Sequence, residues 1–486
     1  MSNIAESTAK KLDRVFNPRS VAVVGDKQAI GYMWLRSLSH FKGKVYSVQI
    51  DPNELPGIAE LGVENYPNLM DIPGPVDYVI ASVPRAVAPK IVEDCIRKKV
   101  GGACFFTSGF AETGTEEGIR LQQVITDLAS KADLNLIGPN CVGLYNPEIG
   151  LRHTEAQAYG EAGSVGFIAQ SGTQATLFSL MGQHQGIKIS KSVSYGNAVV
   201  LDSTDFLEYL GADDKTRIIG MYIEGVKDGR RFLNCLREVA SRKPVLIWKG
   251  GETEAGARAT ASHTGSLAES GVVWQAAIKQ CGAIRVETLD EMIDAIKTLL
   301  YVKTGIGTRL GLIAMSGGQS VAVTDTFAKA GLEIPLLTKA SYQRLASFFD
   351  IIGGSYRNPL DISSTFFMAV DGVSNLVSML DVLDQDPNID CIALELFPAA
   401  RPLRHDPEAK DPVLGAVSDF TEKTGKPFVV IVPEVYSEAL ASEARERLME
   451  RGIASFSSFE RAAKTLKKLA DYYQFRKEQS QRKGAG

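Results

Sequence analysis

Short apolar runs and amphipathic stretches alternate along the chain from about residue 20 to its end. Runs rich in β-branched residues predict strands at 20–25 (SVAVVG), 44–50 (KVYSVQI), 76–83, 101–108 and 135–138. A second series falls at 164–170, 191–196, 217–225 and 243–251, and a third at 310–316, 389–398 and 426–434. Between them, stretches such as 88–100 (APKIVEDCIRKKV) and 289–303 (LDEMIDAIKTLLYVK) carry apolar residues at helical spacing. Strands that alternate with helices in this way predict parallel α/β layers. Weakly patterned, glycine-containing segments near 145–160 and 303–309 mark the expected boundaries. They divide the chain into residues 1–147, 148–303 and 304–475, with a polar tail at 476–486.

One device appears three times. VAVVGDKQAIGY (21–32), VGFIAQSGTQATLF (165–178) and LGLIAMSGGQSVAV (310–323) each run from a strand through a small-residue turn into a helix start. The last two align almost position for position. Each brings a helix N-terminus to the carboxyl end of a strand, where unpaired N–H groups and the helix dipole favour an anion. Tight glycine turns are also ordinary furniture of α/β domains. Two Ser-Gly copies opening successive units nonetheless point to paired phosphate seats. No GxxxxGK[ST] loop occurs, so none of the three is a Walker A motif.

Composition narrows the classes. The chain has 486 residues, enough for several domains, with a net charge of −4 that gives no electrostatic case for nucleic acid or an acidic membrane surface. No apolar run is long enough to span a bilayer. The first twenty residues have no apolar signal core and carry Glu6 and Asp13, so a cytoplasmic protein is expected. The six cysteines show no metal-ligand spacing and read as reduced, buried thiols, so no structural metal is expected.

The first third offers several turns after strand ends: VVGDKQAIGY, ASVPRAV, FFTSGFAETG and LIGPNCVGLYNP. Together they are expected to line a crevice with Ser82, Ser108, Gly109, Phe110 and Asn140, although each alone is an ordinary structural turn. In the middle third, His263 lies among small and hydroxylated residues (GARATASHTGSLA), which reads as an exposed loop. A neutral imidazole there is a competent nucleophile towards a phosphoryl group. It needs a carboxylate to fix its tautomer, and Glu224, at the end of the strand in YIEG, is the candidate. The plain alternatives are a surface histidine and a turn-capping glutamate.

These motifs together resemble the ADP-forming acyl-CoA synthetases of the succinyl-CoA synthetase superfamily, in particular their α-type subunit. The resemblance runs from about residue 12 to about 470 and rests on GARATASHTGSLA, IGPNCVGLYNP, TSGFAETG, YIEG and FIAQSGT. It implies a Rossmann-like CoA-binding domain followed by two flavodoxin-like parallel α/β domains. It also implies that His263 is phosphorylated and that Glu224 orients it. Gln170, Ser171, Gly172 and Thr173, with Ser316, Gly317, Gly318 and Gln319, would grip the phosphohistidine from two sides, Asn197 standing nearby. Coenzyme A would be held by Gly25, Lys27, Gln28, Gly31, Lys44, Ser82, Val83, Pro84, Ser108, Gly109, Phe110 and Asn140.

Nothing in the chain resembles an ATP-grasp unit. The resemblance therefore implies a separate ATP-grasp β-type subunit carrying ATP or ADP and Mg2+, in an α2β2 hetero-tetramer acting on a small carboxylic acid or its acyl-CoA. One departure stands out: the first turn is short and places Asp26 where a CoA phosphate is expected, so that its carboxylate would repel the ligand unless Lys27 or a shifted loop compensates. The readings that rival a ligase are a CoA transferase without a phosphoenzyme and a non-catalytic CoA-sensing subunit.

Overall fold

The computed structural model describes residues 3–264, 271–302, 305–368, 371–397, 412–435 and 437–484. They form three sheets in two compact units, Met1–Met292 and Ile293–Gly486. The first sheet contains β1 (Ser20–Val24), β2 (Lys44–Val48), β3 (Glu64–Tyr66), β4 (Tyr78–Ala81), β5 (Gly102–Phe105) and β6 (Asn135–Ile137). Its order is β3-β2-β1-β4-β5-β6 and every pairing is parallel. This is the Rossmann order, which reverses between β1 and β4. Strands covered on both faces read as unbroken apolar runs, and all five residues of β1 are buried.

The second sheet holds β7 (Gly143–Tyr145), β8 (Val165–Ala169), β9 (Ile189–Ser194), β10 (Ile218–Ile223), β11 (Val245–Lys249) and β12 (Ile284–Val286). Its order is β12-β11-β10-β8-β9-β7, a flavodoxin-like arrangement with β7 added antiparallel to β9 at one edge. The chain thus enters this sheet before residue 147. A helix at Asn3–Phe16 packs against the helix Ser203–Ala212, with Phe16 stacked on Tyr209 at 4.4 Å between ring centres. One apolar core in this unit includes Val21 and Val23 of β1 together with Ile168 of β8 and Met221 of β10.

The second unit contains β13 (Leu310–Ala314), β14 (Leu360–Asp361), β15 (Cys391–Glu395), β16 (Phe428–Ile431) and β17 (Ser455–Phe456), ordered β14-β13-β15-β16-β17 and wholly parallel. That is again the flavodoxin order, the switch falling between β13 and β15. The division between units falls within the helix Leu289–Tyr301, upstream of the expected boundary at 303. The expected tail at 476–486 is largely the end of a helix, Phe459–Gly484. No described helix is long and apolar enough to cross a membrane.

Two expectations are corrected. Asp26 does not face outward from the first turn: its side chain is buried, accepting from the amides of Leu35 at 2.9 Å and Lys27 at 3.2 Å. It caps the helix Met33–Ser37, whose preceding residue Tyr32 supplies no side-chain cap. Burial raises the pKa of this carboxyl, and the amides of Leu35, Lys27 and Trp34 oppose that rise. Residues Glu254–Thr264, read as a loop, are helical. Thr253 Oγ1 accepts from the Gly256 amide at 3.0 Å and Glu254 pairs with Arg258 one turn on. Alanines at 255, 257, 259 and 261 favour helix strongly enough to absorb the glycine.

Replacing Asp26 with alanine leaves the Leu35 amide without its acceptor. The expected cost is about 1–2 kcal/mol, read as a lower thermal midpoint for the transition of the first unit.

Candidate active site

In open parallel sheets ligands bind outside the carboxyl ends of the strands, where strand order reverses. The first reversal brings Gly25 to Ser82 and Val83. Gly25 has φ +81, and a Cβ there would lie 2.7 Å from both the Ser82 carbonyl oxygen and Val83 Cγ1. Only glycine fits this approach. Lys27 and Gln28 begin a short 3-10 turn that ends at Gly31, itself left-handed at φ +66, and the Gln28 amide donates to Glu54 at 2.8 Å. Pro84 precedes a second such turn, and Arg85 reaches from it to the Gly109 carbonyl at 2.7 Å.

Lys44 does not belong to this crevice. It is the first residue of β2 and pairs with Ser20 at the amino edge of the sheet. Gly25 lies five residues further along the strand direction, roughly 16 Å away at the usual rise. Lys44 instead lines an opening with Arg14, Arg19 and Asp77.

Ser108, Gly109, Phe110, Asn140 and Asn197 do come together, around a residue the sequence reading overlooked. Glu112 accepts from the amides of Gly109 at 2.6 Å and Phe110 at 3.1 Å, and from the Asn197 side chain at 2.6 Å. Asn140 and Asn197 touch at 3.5 Å, and the Asn197 amide donates to the Pro139 carbonyl at 3.0 Å. Phe110 is fully buried and anchors the loop. Glu112 lies inside the quoted motif TSGFAETG, two residues past Phe110, so its proximity to those amides was available as a signal.

The second reversal falls between β8 and β10. The Gln170 side-chain oxygen accepts from the amides of Glu224 at 2.9 Å and Gly225 at 3.2 Å, tying the two strand ends together. Ser171 caps the helix Gly172–His184 by accepting from the Gln174 amide, and Thr173 is exposed on its first turn. The Gly196 amide donates to the Gln170 carbonyl at 3.1 Å, which sets Asn197 beside this turn.

Glu224 is 4% exposed and receives the Tyr222 hydroxyl at 3.2 Å. Burial and the Glu224 carboxylate both push the Tyr222 phenol upward, so that it stays a donor. Lys249, buried at the end of β11, donates to the carbonyls of Glu224 at 2.8 Å and Gly250 at 2.6 Å. Gly251 turns the chain against Thr260 and into the helix that includes position 263. The imidazole of His263 lies outside the described residues. The helix itself packs on the turn Ala111–Thr113, next to the loop that Glu112 fastens.

The third reversal, in the second unit, repeats the design with different chemistry. Ser316 caps the helix Gly317–Lys329 by accepting from the Gln319 amide at 3.4 Å, and Gly318 is open to added volume. Where the second sheet has Gln170, this one has Met315, whose amide donates to a buried carboxylate, Glu395, at 2.9 Å.

Comparison with known proteins agrees with this anatomy. A CoA binding domain model matches residues 19–147, and a succinyl-CoA ligase like flavodoxin domain model matches 162–299. The acetate–CoA ligase (ADP-forming) II subunit alpha of Pyrococcus furiosus is 33% identical over 453 residues, covering 92% of this chain and 94% of that one. The corresponding I subunit alpha of the same organism is 34% identical, covering 94% and 97%. The acetate–CoA ligase (ADP-forming) I of Archaeoglobus fulgidus is 36% identical over 80% of this chain, but the match spans only 55% of that longer protein. Among solved structures, the dinucleotide-forming acetyl-coenzyme A synthetase 1 of Ca. Korarchaeum cryptofilum, in complex with phosphate and ADP, superposes with a TM-score of 0.81. It is 30% identical, covering 96% of this chain and 97% of that one. By sequence, sheet order and the turns that crown each sheet, the chain belongs to the α-subunit family of the ADP-forming acid–CoA ligases.

Proposed function

We propose that the chain is the α subunit of an ADP-forming acid–CoA ligase, interconverting acyl-CoA, ADP and phosphate with acid, CoA and ATP. The observation that carries this reading is the junction of Gln170 with Glu224 at the start of the helix Gly172–His184. In the ATP-forming direction a phosphate oxygen attacks the thioester carbonyl and the CoA thiolate leaves, giving an acyl phosphate. The neutral His263 imidazole then attacks phosphorus and the carboxylate of the acid leaves. Finally a β-phosphate oxygen of ADP takes the phosphoryl group and the imidazole is released. The phosphoramidate keeps the transfer potential between the steps, so the two halves need not share a seat.

Each group in this scheme has an electrostatic task. Glu224 holds the imidazole in one tautomer and offsets the charge that develops on it. Lys249 and Gln170 fix the backbone on either side of Glu224, so they position without touching the substrate. The amides at Ser171–Thr173 and Ser316–Gly318 donate to the phosphoryl oxygens and offset their charge.

The turn at Gly25, packed closely on Ser82 and Val83 where the strand order reverses, is the seat for CoA. Lys27, Gln28, Gly31 and Pro84 rim that crevice, while Ser108, Gly109, Phe110 and Asn140 form its other wall. ADP and Mg2+ belong to an ATP-grasp β subunit, which the names of the Pyrococcus furiosus proteins as alpha subunits support. A cytoplasmic α2β2 assembly completes the proposal.

Incubating the chain with acetyl-CoA and radiolabelled phosphate, with an ATP-grasp partner present, is expected to give an acid-labile, base-stable label. His263→Ala abolishes it, and failure of the unaltered chain to take up label refutes the ligase reading in favour of a transferase or a sensor. Glu224→Gln keeps the shape but not the charge, and lowers the rate of labelling about 100-fold or more. Gly25→Ala weakens CoA binding measured by calorimetry, whereas Lys44→Ala, at the far edge of the sheet, leaves it unchanged.

A further inference from the structure

The two Ser-Gly turns differ in what surrounds them. An added Cβ on Gly172 would meet Val142 at 3.2 Å and Ser194 Oγ at 3.7 Å, both neutral. One on Gly317 would lie 3.0 Å from a carboxylate oxygen of Asp361, on β14. On the opposite side of β13, Glu395 closes β15 with no solvent exposure. Its Oε2 accepts from the Met315 amide at 2.9 Å, directly behind the Ser316 turn, while its Oε1 has no hydrogen-bond partner among the described residues. The second seat is therefore flanked by a carboxylate on each neighbouring strand. A negative charge there cancels the attraction that the helix start exerts on a phosphoryl group.

We propose that Glu395 is a positioning residue of the second phosphoryl seat. In this role its protonated form leaves the helix start at Ser316–Gln319 open to a phosphoryl group and its ionised form closes it. The proposal rests on the reading of that turn as a phosphoryl seat.

The elements around Glu395 support such a role. β13 offers the Met315 amide, the helix Gly317–Lys329 offers the neutral Gln319 side chain, and β16 offers Ile431, its register partner. Asp361 lies across β13 and is held through Oδ1 by the amide and hydroxyl of Ser363. Glu434, beyond the end of β16, is paired with Arg445 at 2.9 Å. Among the described residues, then, no cation compensates Glu395. Burial outweighs the Met315 and Gln319 contacts and lifts its carboxyl from the ordinary 4.5 to about 7.

The sign follows from linkage. The folded chain holds this proton more tightly than the unfolded chain, so the contribution of Glu395 to stability declines as pH rises from about 4.5 through about 7. An anion seated at the helix start raises the affinity for the proton further. Reciprocally, protonation raises the affinity for the anion. Transfer to and from this seat is then accompanied by proton uptake and release near neutrality.

The test uses sulfate, whose charge does not change across the relevant pH range, and reads anion binding rather than turnover. It therefore fails independently of the phosphoenzyme experiment. By calorimetry on the full chain, sulfate affinity is expected to drop about threefold or more between pH 6 and pH 8.5. In Glu395→Gln, a neutral isostere, that drop disappears and affinity at pH 8.5 exceeds that of the unaltered chain. Repeating the unaltered titration near pH 7 in buffers of different ionisation enthalpy reads proton uptake directly and does not depend on the variant folding. Equal pH slopes in the two chains, no proton taken up, or no sulfate bound by either chain would each overturn the proposal.

Discussion

The contact between the Gln170 amide oxygen and the two amides that open the Glu224–Gly225 turn organises the first unit. Parallel strands end by leaving backbone donors unpaired, and an α/β sheet can leave them so only where a ligand or a side chain takes them up. At β8 and β10 a side chain does so. It fixes the exit of β10, and with it the direction in which Glu224 leaves the sheet. Lys249 takes the Glu224 carbonyl on the other side of the same turn. The carboxylate itself receives the Tyr222 hydroxyl. The helix that follows β11 then starts from a fixed point.

Much of this was legible in the sequence. Every strand expected from apolar runs is present, because parallel strands buried on both faces cannot hide their composition. The three strand–turn–helix devices, read as anion points, all fall at reversals of strand order, which fixes why they matter. Short edge strands such as β3, β7, β14 and β17 went unread, since two or three residues leave no periodic trace. The histidine segment was misjudged because glycine and serine were weighed above alternating alanines and a threonine cap. Asp26 was misjudged for a different reason. Composition locates a charge along the chain but not the direction in which its side chain turns.

Lys44 and Glu112 illustrate the same boundary from opposite sides. Similarity placed Lys44 with the CoA crevice, yet register sets it at the opposite end of its strand, and a strand's two ends are separated by its whole length. Glu112 stood inside a quoted motif without being singled out, because its partners, the amides of Gly109 and Phe110 and the side chain of Asn197, lie partly in another sheet's loops. Tertiary contacts of that kind leave no mark in a local pattern. The asymmetry between Gln170 and Met315 is subtler still: the repeat announces itself, and this is one of several positions where its copies differ, with a side-chain amide at one strand end and a buried carboxylate beside the other.

Glu112 also has a kinetic meaning. Because an internal carboxylate already sits on the Gly109 and Phe110 amides, any anionic group that seeks those donors takes part in a substitution rather than an addition. Its arrival is timed by the departure of Glu112, a step that belongs to the protein and is indifferent to the concentration of the newcomer once that is high. Release is eased in the same way, since the leaving anion is followed by a tethered replacement, and the loop is never left with two bare donors.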